Sequence, residues 1–589
     1  MSSAIATAEP VEDAPRYRRL SSTIHHWVEP NERRLELALY AVVAVAGWWV
    51  RMVQDDAFIS FRYARNLAEG HGLVFNPGER VEGYTNFLWT LLMWVPEELG
   101  WNTASVSQFV TLPLMVGTVA VALRLARRVL GDPTLALMAA AALGANMTFL
   151  AYGTSGLETM LQTFLLTSFA LLLLPLPDRV PMVGRRVAAG VVGALAVLTR
   201  IDSVVLVATW VAIHLWAMRP AGDRADAGWR PALTAAATIA APAVVLIAPW
   251  LIWKSGYYGE LLPNTLAAKS AGNPLVALAY GLFVVVGFFA SYFAFLLIGR
   301  WRRTRHDYLA LPATRTALVA VAPWLAYICI VGGDFMEYRF MVPVLPLLAM
   351  PAAFLLDHVR TPRRHVALVG LLLLVSVGHR LAPAESPIWP VMSFENLKRW
   401  PDDSPNSFVA MGETLREAFP GGVAAPDQVT IGVSPAGVIP YVAELPTIDM
   451  LGLNDRETAR DGWLIPLYYP GHVRTSKVDY LVRRDVNLLI GAPQLVKPDP
   501  DRSSYRLSQL TVLAPGADLD ALPVTAKVLE IPLVEGVHHW QVLYVVPHPA
   551  VDAAIERYGW KVLEIDRRCD PDDVIPLMRT FARRTCPEL

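Results

Sequence analysis

The feature that most limits this chain is a series of apolar runs, each closed by arginines. A helix needs about 20 apolar residues to cross a bilayer core. Such runs lie near 35–53, 103–128, 134–151, 157–175, 186–200, 202–218, 231–253, 275–299, 314–331, 340–357 and 365–381. A chain of 589 residues that is 54% hydrophobic, only 17% charged and has a mean hydropathy of +0.38 is a polytopic membrane protein. The loops that alternate crossing places on one side hold Arg124/Arg127/Arg128, Arg179/Arg185/Arg186, Arg219/Arg224/Arg230, Arg300/Arg302/Arg303/Arg305 and Arg360/Arg363/Arg364. That side is the cytoplasm. The tail 1–34, with Arg16, Arg18, Arg19, Arg33 and Arg34, falls there too. No small-residue cleavage site follows the first run, so it reads as an uncleaved span. The short apolar stretch Asn86 to Val95 ends at Glu97-Glu98 and reads as a half-span or surface helix. The sum is about eleven spans, an odd number, with the C-terminus outside.

The expected domains are a cytoplasmic tail 1–34, a membrane domain 35–381 with a first outer loop 54–102, and an outer soluble domain 382–589. The last is rich in Pro, Asp and Gly and has no spanning run. Val429 to Val433 and Val542 to Val546 read as strands, and Asp479 to Leu489 alternates strand-like and polar segments, which suggests a mixed α/β domain. Ser434 to Tyr441 and Asp449 to Asp455 read as loops that either face a ligand or are ordinary turns.

The first outer loop opens with Asp55 and Asp56 at the exit of an apolar run, where charge is costly unless used or solvated. From Asp56 the pattern is helical: Phe58, Phe61 and Leu67 mark one face, and Arg62, Arg65 and Glu69 another. Such a helix would lie along the membrane surface with Asp56 as its N-cap. The carboxylates are then either parts of a capped interfacial helix or a catalytic group at the water–lipid boundary. Other unusual groups stand at outer span ends: Glu158; Arg200 and Asp202; Tyr257, Asn264 and Lys269; and Asp334 and Arg339. Arg200 and Asp202 can simply pair, and Lys269 can snorkel. Gathered on one face, they imply a polar cavity.

Much chemistry is excluded. There is no Walker loop, no usable GxGxxG, no CxxC and no HExxH, so no nucleotide cofactor and no metal are expected. A net charge of -1 argues against nucleic acid. Of three cysteines, Cys329 lies within a span, whereas Cys569 and Cys586 close to the C-terminus are expected to form a disulfide in an oxidising compartment. An acid flanked by cations at the outer face suits glycosyl transfer from a sugar activated on polyprenyl phosphate. The acid accepts the hydroxyl proton or steadies positive charge at the anomeric carbon. The cations hold the phosphate leaving group. A transporter of lipid-linked sugar would usually show internal repeats and charges near mid-span, and here the charges sit at span ends.

The acidic motif in the first outer loop resembles that of the GT-C superfamily of membrane glycosyltransferases. More closely, the stretch from Asp55 to Leu67, with Gly72 to Trp89, resembles the mycobacterial terminal β-(1→2)-arabinofuranosyltransferases, over nearly the whole chain. That resemblance implies decaprenyl-phosphoryl-arabinofuranose as donor, membrane lipid around the spans, and arabinan ends of arabinogalactan and lipoarabinomannan as acceptor. It also implies a bacterial inner membrane. A related transferase of mannose or another polyprenyl-phosphate sugar is the alternative. Asp55 and Asp56 are the catalytic candidates, with Asp55 facing the sugar and Asp56 capping or orienting. Tyr84 and Asn86 join the substrate-binding candidates through the motif. A β-linked donor and product imply retention, which requires a covalent intermediate or front-side attack. Glu158, Asp202 or Asp334 would supply a second carboxylate.

Overall fold

The computed structural model describes residues 20–174, 183–219, 228–270, 272–292, 301–302, 305–309, 312–357, 370–371, 373–376, 378, 391–399, 401, 404–469, 471–534 and 538–589. The 365–381 span lies mostly outside the described residues. So do the 382 boundary and Arg16, Arg18, Arg19, Arg179, Arg224, Arg300, Arg303, Arg360, Arg363 and Arg364.

The N-terminal part is helical: α1 (Leu20–Trp49), α2 (Asp55–Ala68), α3 (Phe87–Glu98), α4 (Thr103–Leu130), α5 (Pro133–Gly144), α6 (Met147–Ala151), α7 (Thr159–Leu173), α8 (Val183–Thr199), α9 (Val204–Ala217), α10 (Arg230–Tyr258), α11 (Asn264–Ser270), α12 (Pro274–Ser291), α13 (Pro312–Ile330) and α14 (Leu345–Asp357). Among the described residues, five helical stretches are long and apolar enough to cross a membrane: Thr103–Leu130, Arg230–Tyr258, Pro274–Ser291, Ala313–Ile330 and Arg339–Asp357. Three more, Pro133–Gly144, Thr159–Leu173 and Ile201–Ala217, are apolar but shorter. Capping residues set the breaks between them. Asn102 accepts from Ser105 N–H to start α4, Asp132 from Leu135 N–H to start α5, and Asn146 from Phe149 N–H to start α6. The run read as one span over 134–151 is thus two helices, parted at Ala145-Asn146.

The short apolar run is α3, a helix of 12 residues. At 1.5 Å per residue it is about 18 Å long, too short to span. It packs against α2 and α8, buries Trp89, Thr90 and Met93, and exposes Leu92, Trp94 and Val95.

The C-terminal part is α/β. Among the described residues its main sheet has seven strands in the order β2-β1-β5-β8-β7-β9-β6. These are β1 (Thr430–Val433), β2 (Thr447–Asp449), β5 (Val486–Val496), β6 (Ser504–Arg506), β7 (Lys527–Val534), β8 (His538–Tyr544) and β9 (Lys561–Asp566). A separate hairpin pairs β3 (Trp463–Tyr469) with β4 (His472–Thr475). The segment that alternates strand-like and polar character resolves into the helix Val478–Arg483 followed by β5. Ile431, Leu488, Leu529, Ile531 and Trp540 share one continuous core with the membrane helices, whereas Ile448, Leu489, Val528 and Leu543 belong to a second core. Burial on both faces fits the apolar run from Val429 to Val433 that reads as a strand and forms β1. Cys569 and Cys586 are bridged, with their Cα atoms 5.9 Å apart.

Candidate active site

The site is organised by the turn from α1 into α2. Gln54 is extended (φ −98°, ψ 152°), and its N–H donates to Ser155 O at 3.0 Å. The helix therefore starts at Asp55, with Gln54 in the N-cap position. Asp56 does not cap it. Asp56 sits inside the first turn, because the N-cap is Gln54, tied to Ser155 O, two residues before the expected cap.

Asp55 is half-buried, and its Oδ1 accepts the backbone N–H of Val438 at 2.8 Å. Val438 opens α15 (Val438–Ala443), a short helix after β1 that packs on α2. Burial pushes the Asp55 carboxyl up to about 7. The amides of Val438 and Gly437 pull it down, and the charges of Asp56 and Asp449 push it up. Asp449 ends β2 and is itself raised to about 6 by burial, against the donors Asn454 N–H (2.8 Å), Asn454 Nδ2 (2.9 Å) and Leu451 N–H (3.0 Å).

Three cations singled out in the sequence, Arg200, Arg339 and Lys269, stand in different states. Arg200 is consumed: Nη1 lies 2.5 Å from Glu158 Oε1 and Nη2 2.7 Å from Asp202 Oδ2. Both carboxylates are buried. Gln162 Nε2 also donates to Asp202 Oδ1 at 2.9 Å, and Asn86 Nδ2 to Glu158 Oε2 at 2.7 Å. Arg339 is shared, with Nε 2.7 Å from Asp334 Oδ2 and Nη1 3.8 Å from Asp56 Oδ2. Phe340 lies between these two arginines, each guanidinium 5.5 Å from its ring centroid. Lys269, on α11, is exposed and has no hydrogen bond or ion pair among the described residues. Its charge is felt by Asp56 and Asp334, and its Cε lies 3.8 Å from where a Cβ on Gly471 would stand, at the tip of the β3–β4 hairpin.

The remaining candidates act as ties. Tyr84 is buried, and its hydroxyl meets that of Tyr258 at 3.1 Å. Asn264 Nδ2 donates to the carbonyls of Gly452 (2.8 Å), Leu453 (3.1 Å) and Asp455 (3.2 Å), fastening α11 to the C-terminal domain. Tyr257 stacks on Trp253 at 5.1 Å under Arg80.

Several residues escaped sequence reading. The pattern puts Arg62 and Arg65 on an outward polar face, yet both are covered by the C-terminal domain. Arg62 is buried and donates to Phe75 O (2.8 Å), Pro440 O (2.6 Å), Leu445 O (2.8 Å) and Asn76 Oδ1 (3.1 Å). Arg65 reaches Glu97, Glu444 and Tyr441 O and lies 3.6 Å over the Tyr441 ring. Helix α2 therefore lies between membrane helices and the C-terminal domain, not on an open surface. Glu82 and Lys254 form a buried pair at 2.6 Å, and burial raises the Glu82 carboxyl to about 7 against the pull of the ammonium. Lys254, a lone charge in the apolar run of α10, was the available signal.

A family model described as a domain of unknown function (DUF8728) matches residues 400–529. Over 88% of its length, the chain superposes on 98% of ArnT from Cupriavidus metallidurans, solved bound to undecaprenyl phosphate, with a TM-score of 0.55 and 16% identity. The fold is GT-C. The apo form of the same ArnT superposes with a TM-score of 0.52. The chain is a multi-pass membrane protein with this GT-C fold. It is also similar in sequence to two curated relatives named terminal β-(1→2)-arabinofuranosyltransferase. The Corynebacterium glutamicum protein is 27% identical over 60% of this chain, and the Mycobacterium tuberculosis protein 30% identical over 41%. The matches span 54% and 39% of those relatives' own lengths.

Proposed function

We propose that the protein transfers arabinofuranose from decaprenyl-phosphoryl-arabinofuranose to non-reducing ends of cell-wall arabinan. The product is a terminal β-(1→2) linkage in arabinogalactan or lipoarabinomannan. The carrying observation is the grouping, around Asp56 and Asp334 and one residue from Asp55, of two cations, Arg339 and Lys269, that are not fully consumed by internal pairs among the described residues. The fold of ArnT supports a polyprenyl-phosphate donor, and the names of the sequence relatives support arabinofuranose.

In this reading the acceptor oxygen bonds to the anomeric carbon as the bond from that carbon to the phosphate oxygen breaks. Decaprenyl phosphate leaves, and the acceptor proton passes to a carboxylate or to the leaving phosphate. Asp55, next to the Asp56 that faces the cations, is assigned the reacting role, its partly buried carboxyl serving as base or nucleophile. Arg339 and Lys269 steady the phosphate. Asp56 and Asp334 orient Arg339. Glu158, Asp202 and Arg200 form the rigid wall, with Asn86 holding Glu158, and Tyr84, Tyr257 and Asn264 hold the first loop and α11 around the substrate.

The orientation that fits is residues 1–34 in the cytoplasm and 382–589 outside, with spans 35–381 in the bacterial inner membrane. Arginine-rich loops on one side support it. The test is transfer by purified protein from several polyprenyl-phosphate sugars to a synthetic arabinan oligosaccharide. Turnover restricted to the arabinose donor supports the proposal. Preference for a mannose donor would move the protein to another GT-C activity, and no transfer from any donor would refute both.

A further inference from the structure

The structure assigns a positioning role to the Gly437-Val438 peptide of the outer domain: it is a built-in part of the catalytic centre that aims Asp55. This rests on the reading of Asp55 as the reacting carboxylate and adds what sets its orientation and charge.

Three observations carry it. Val438 N–H donates to Asp55 Oδ1 at 2.8 Å from 383 residues away. A Cβ on Gly437 would overlap the Asp55 backbone carbonyl oxygen and fall 2.8 Å from Asp55 Cγ. Only a residue without Cβ lets the loop approach this closely. Finally, the approach is clamped from both flanks. Arg62 holds Pro440 O and Leu445 O, and Arg65 holds Tyr441 O and Glu444, all within α15 or just past its end. A loop that merely packed against α2 would need neither the missing side chain nor a donor aimed at the carboxylate.

The physical consequence concerns the charged form. An N–H aimed at a carboxylate stabilises the anion. The charged groups facing Asp55 are Asp56 on its own helix and Asp449 at the end of β2, and both oppose ionisation. Arg339 faces Asp56, not Asp55. The Val438 amide is therefore a principal local support for ionised Asp55. Losing it leaves Asp55 in place but protonated at higher pH.

The experiment measures the pH dependence of arabinofuranose transfer from decaprenyl-phosphoryl-arabinofuranose by the full-length protein in detergent. Val438→Pro removes the donor, Gly437→Ala forces the loop away, and Val438→Ala keeps the N–H as control. Loss of a hydrogen bond to a charged group is expected to move the acid limb of kcat upward by about one to two pH units. Starting from a midpoint near 7, that lowers activity at pH 7 by about five- to fiftyfold, with recovery at pH 9 and little change in donor KM. Val438→Ala keeps the original limb. An unmoved limb in folded Gly437→Ala and Val438→Pro overturns the inference. If neither elutes as a folded species, Arg65→Ala, which only loosens the clamp, must show a smaller shift in the same direction. An unchanged limb there overturns the inference equally. Asp55→Asn separates the two levels. If it is active, the catalytic reading itself fails; if it is inactive beside unshifted Gly437 and Val438 variants, only the positioning role fails.

Discussion

Arg339 Nη1 lies 3.8 Å from Asp56 Oδ2, joining the first turn of α2 to the segment that precedes α14. The gap is wider than that to Asp334, at 2.7 Å, so the guanidinium has one tight partner and one loose one. A phosphate arriving beside Asp56 would find N–H groups not yet committed. Arg200, held at 2.5 Å and 2.7 Å by two buried carboxylates, offers no such capacity.

This contrast separates three alanine variants. Arg339→Ala and Lys269→Ala are expected to raise the donor KM, each losing a charge-assisted contact of about 1.5–3 kcal/mol, roughly ten- to hundredfold. Arg200→Ala strands Glu158 and Asp202 in the interior and should cost stability by about 3–5 kcal/mol. Thermal unfolding with donor titration distinguishes them. Normal folding and a raised donor KM in Arg200→Ala would contradict the assignment.

Asp55→Asn is nearly isosteric and keeps an acceptor for Val438 N–H. Transfer should fall by about 10²–10⁴-fold if a general base is lost, and further if a nucleophile is lost. Asp56→Asn should fall less, through a loosened Arg339. Equal loss in both, at equal expression, would make the two carboxylates a single unit.

The raised Asp55 carboxyl has a sign for stability as well as for rate. Its folded value of about 7 lies above the ordinary carboxylate value, so the protonated form is favoured by folding. The group's contribution is full at low pH and is lost as pH rises through about 7. Asp55→Asn is therefore expected to unfold no earlier than the parent at pH 8, while being inactive. A lower Tm for Asp55→Asn at pH 8 would show that the ionised carboxylate is net stabilising. Activity should run the opposite way, rising with pH on a limb centred near 7.

Arg62→Ala removes four hydrogen bonds at the domain junction, while the Phe75, Pro440 and Leu445 carbonyls keep second donors in Asn66 Nδ2, Glu444 N–H and Thr447 Oγ1. At about 0.5–1.5 kcal/mol for each lost bond, a loss of about 2–6 kcal/mol is expected. Limited proteolysis should then cut the chain between the membrane domain and the outer sheet faster than in the parent. Undiminished resistance would mean that other contacts hold the junction.

The Cys569–Cys586 bridge closes a loop with a sequence separation of 17. Replacing both cysteines by serine should cost about 3 kcal/mol. The loss should appear in the outer domain's unfolding transition, and no change in that transition would assign the bridge no stabilising role.

Much of the architecture was legible because the forces behind it are local. Apolar runs, arginine-rich loops and a polar C-terminal third follow from transfer energies that each residue carries with it. Asp55 and Asp56 stood out for the same reason, as charges where charge is expensive. β1 and β8 were visible as apolar β-branched runs, whereas the cap of α2 lies two residues before the expected Asp56, at Gln54, whose N–H is bonded to Ser155 O.

By itself, the sequence determined that this chain lies in a membrane, that most of its apolar runs are helices, and that carboxylates and cations gather at the ends of those runs. Only the tertiary structure decided which of those charges are spent. Arg200 is closed by two carboxylates, Arg339 is half committed, Lys269 is open, and Arg62 and Arg65 turn inward to hold another domain. The partner of Asp55 is a backbone amide 383 residues away. Every residue but proline carries that N–H, so its position leaves no mark in the sequence, and only the packing of α15 on α2 brings it within hydrogen-bond reach.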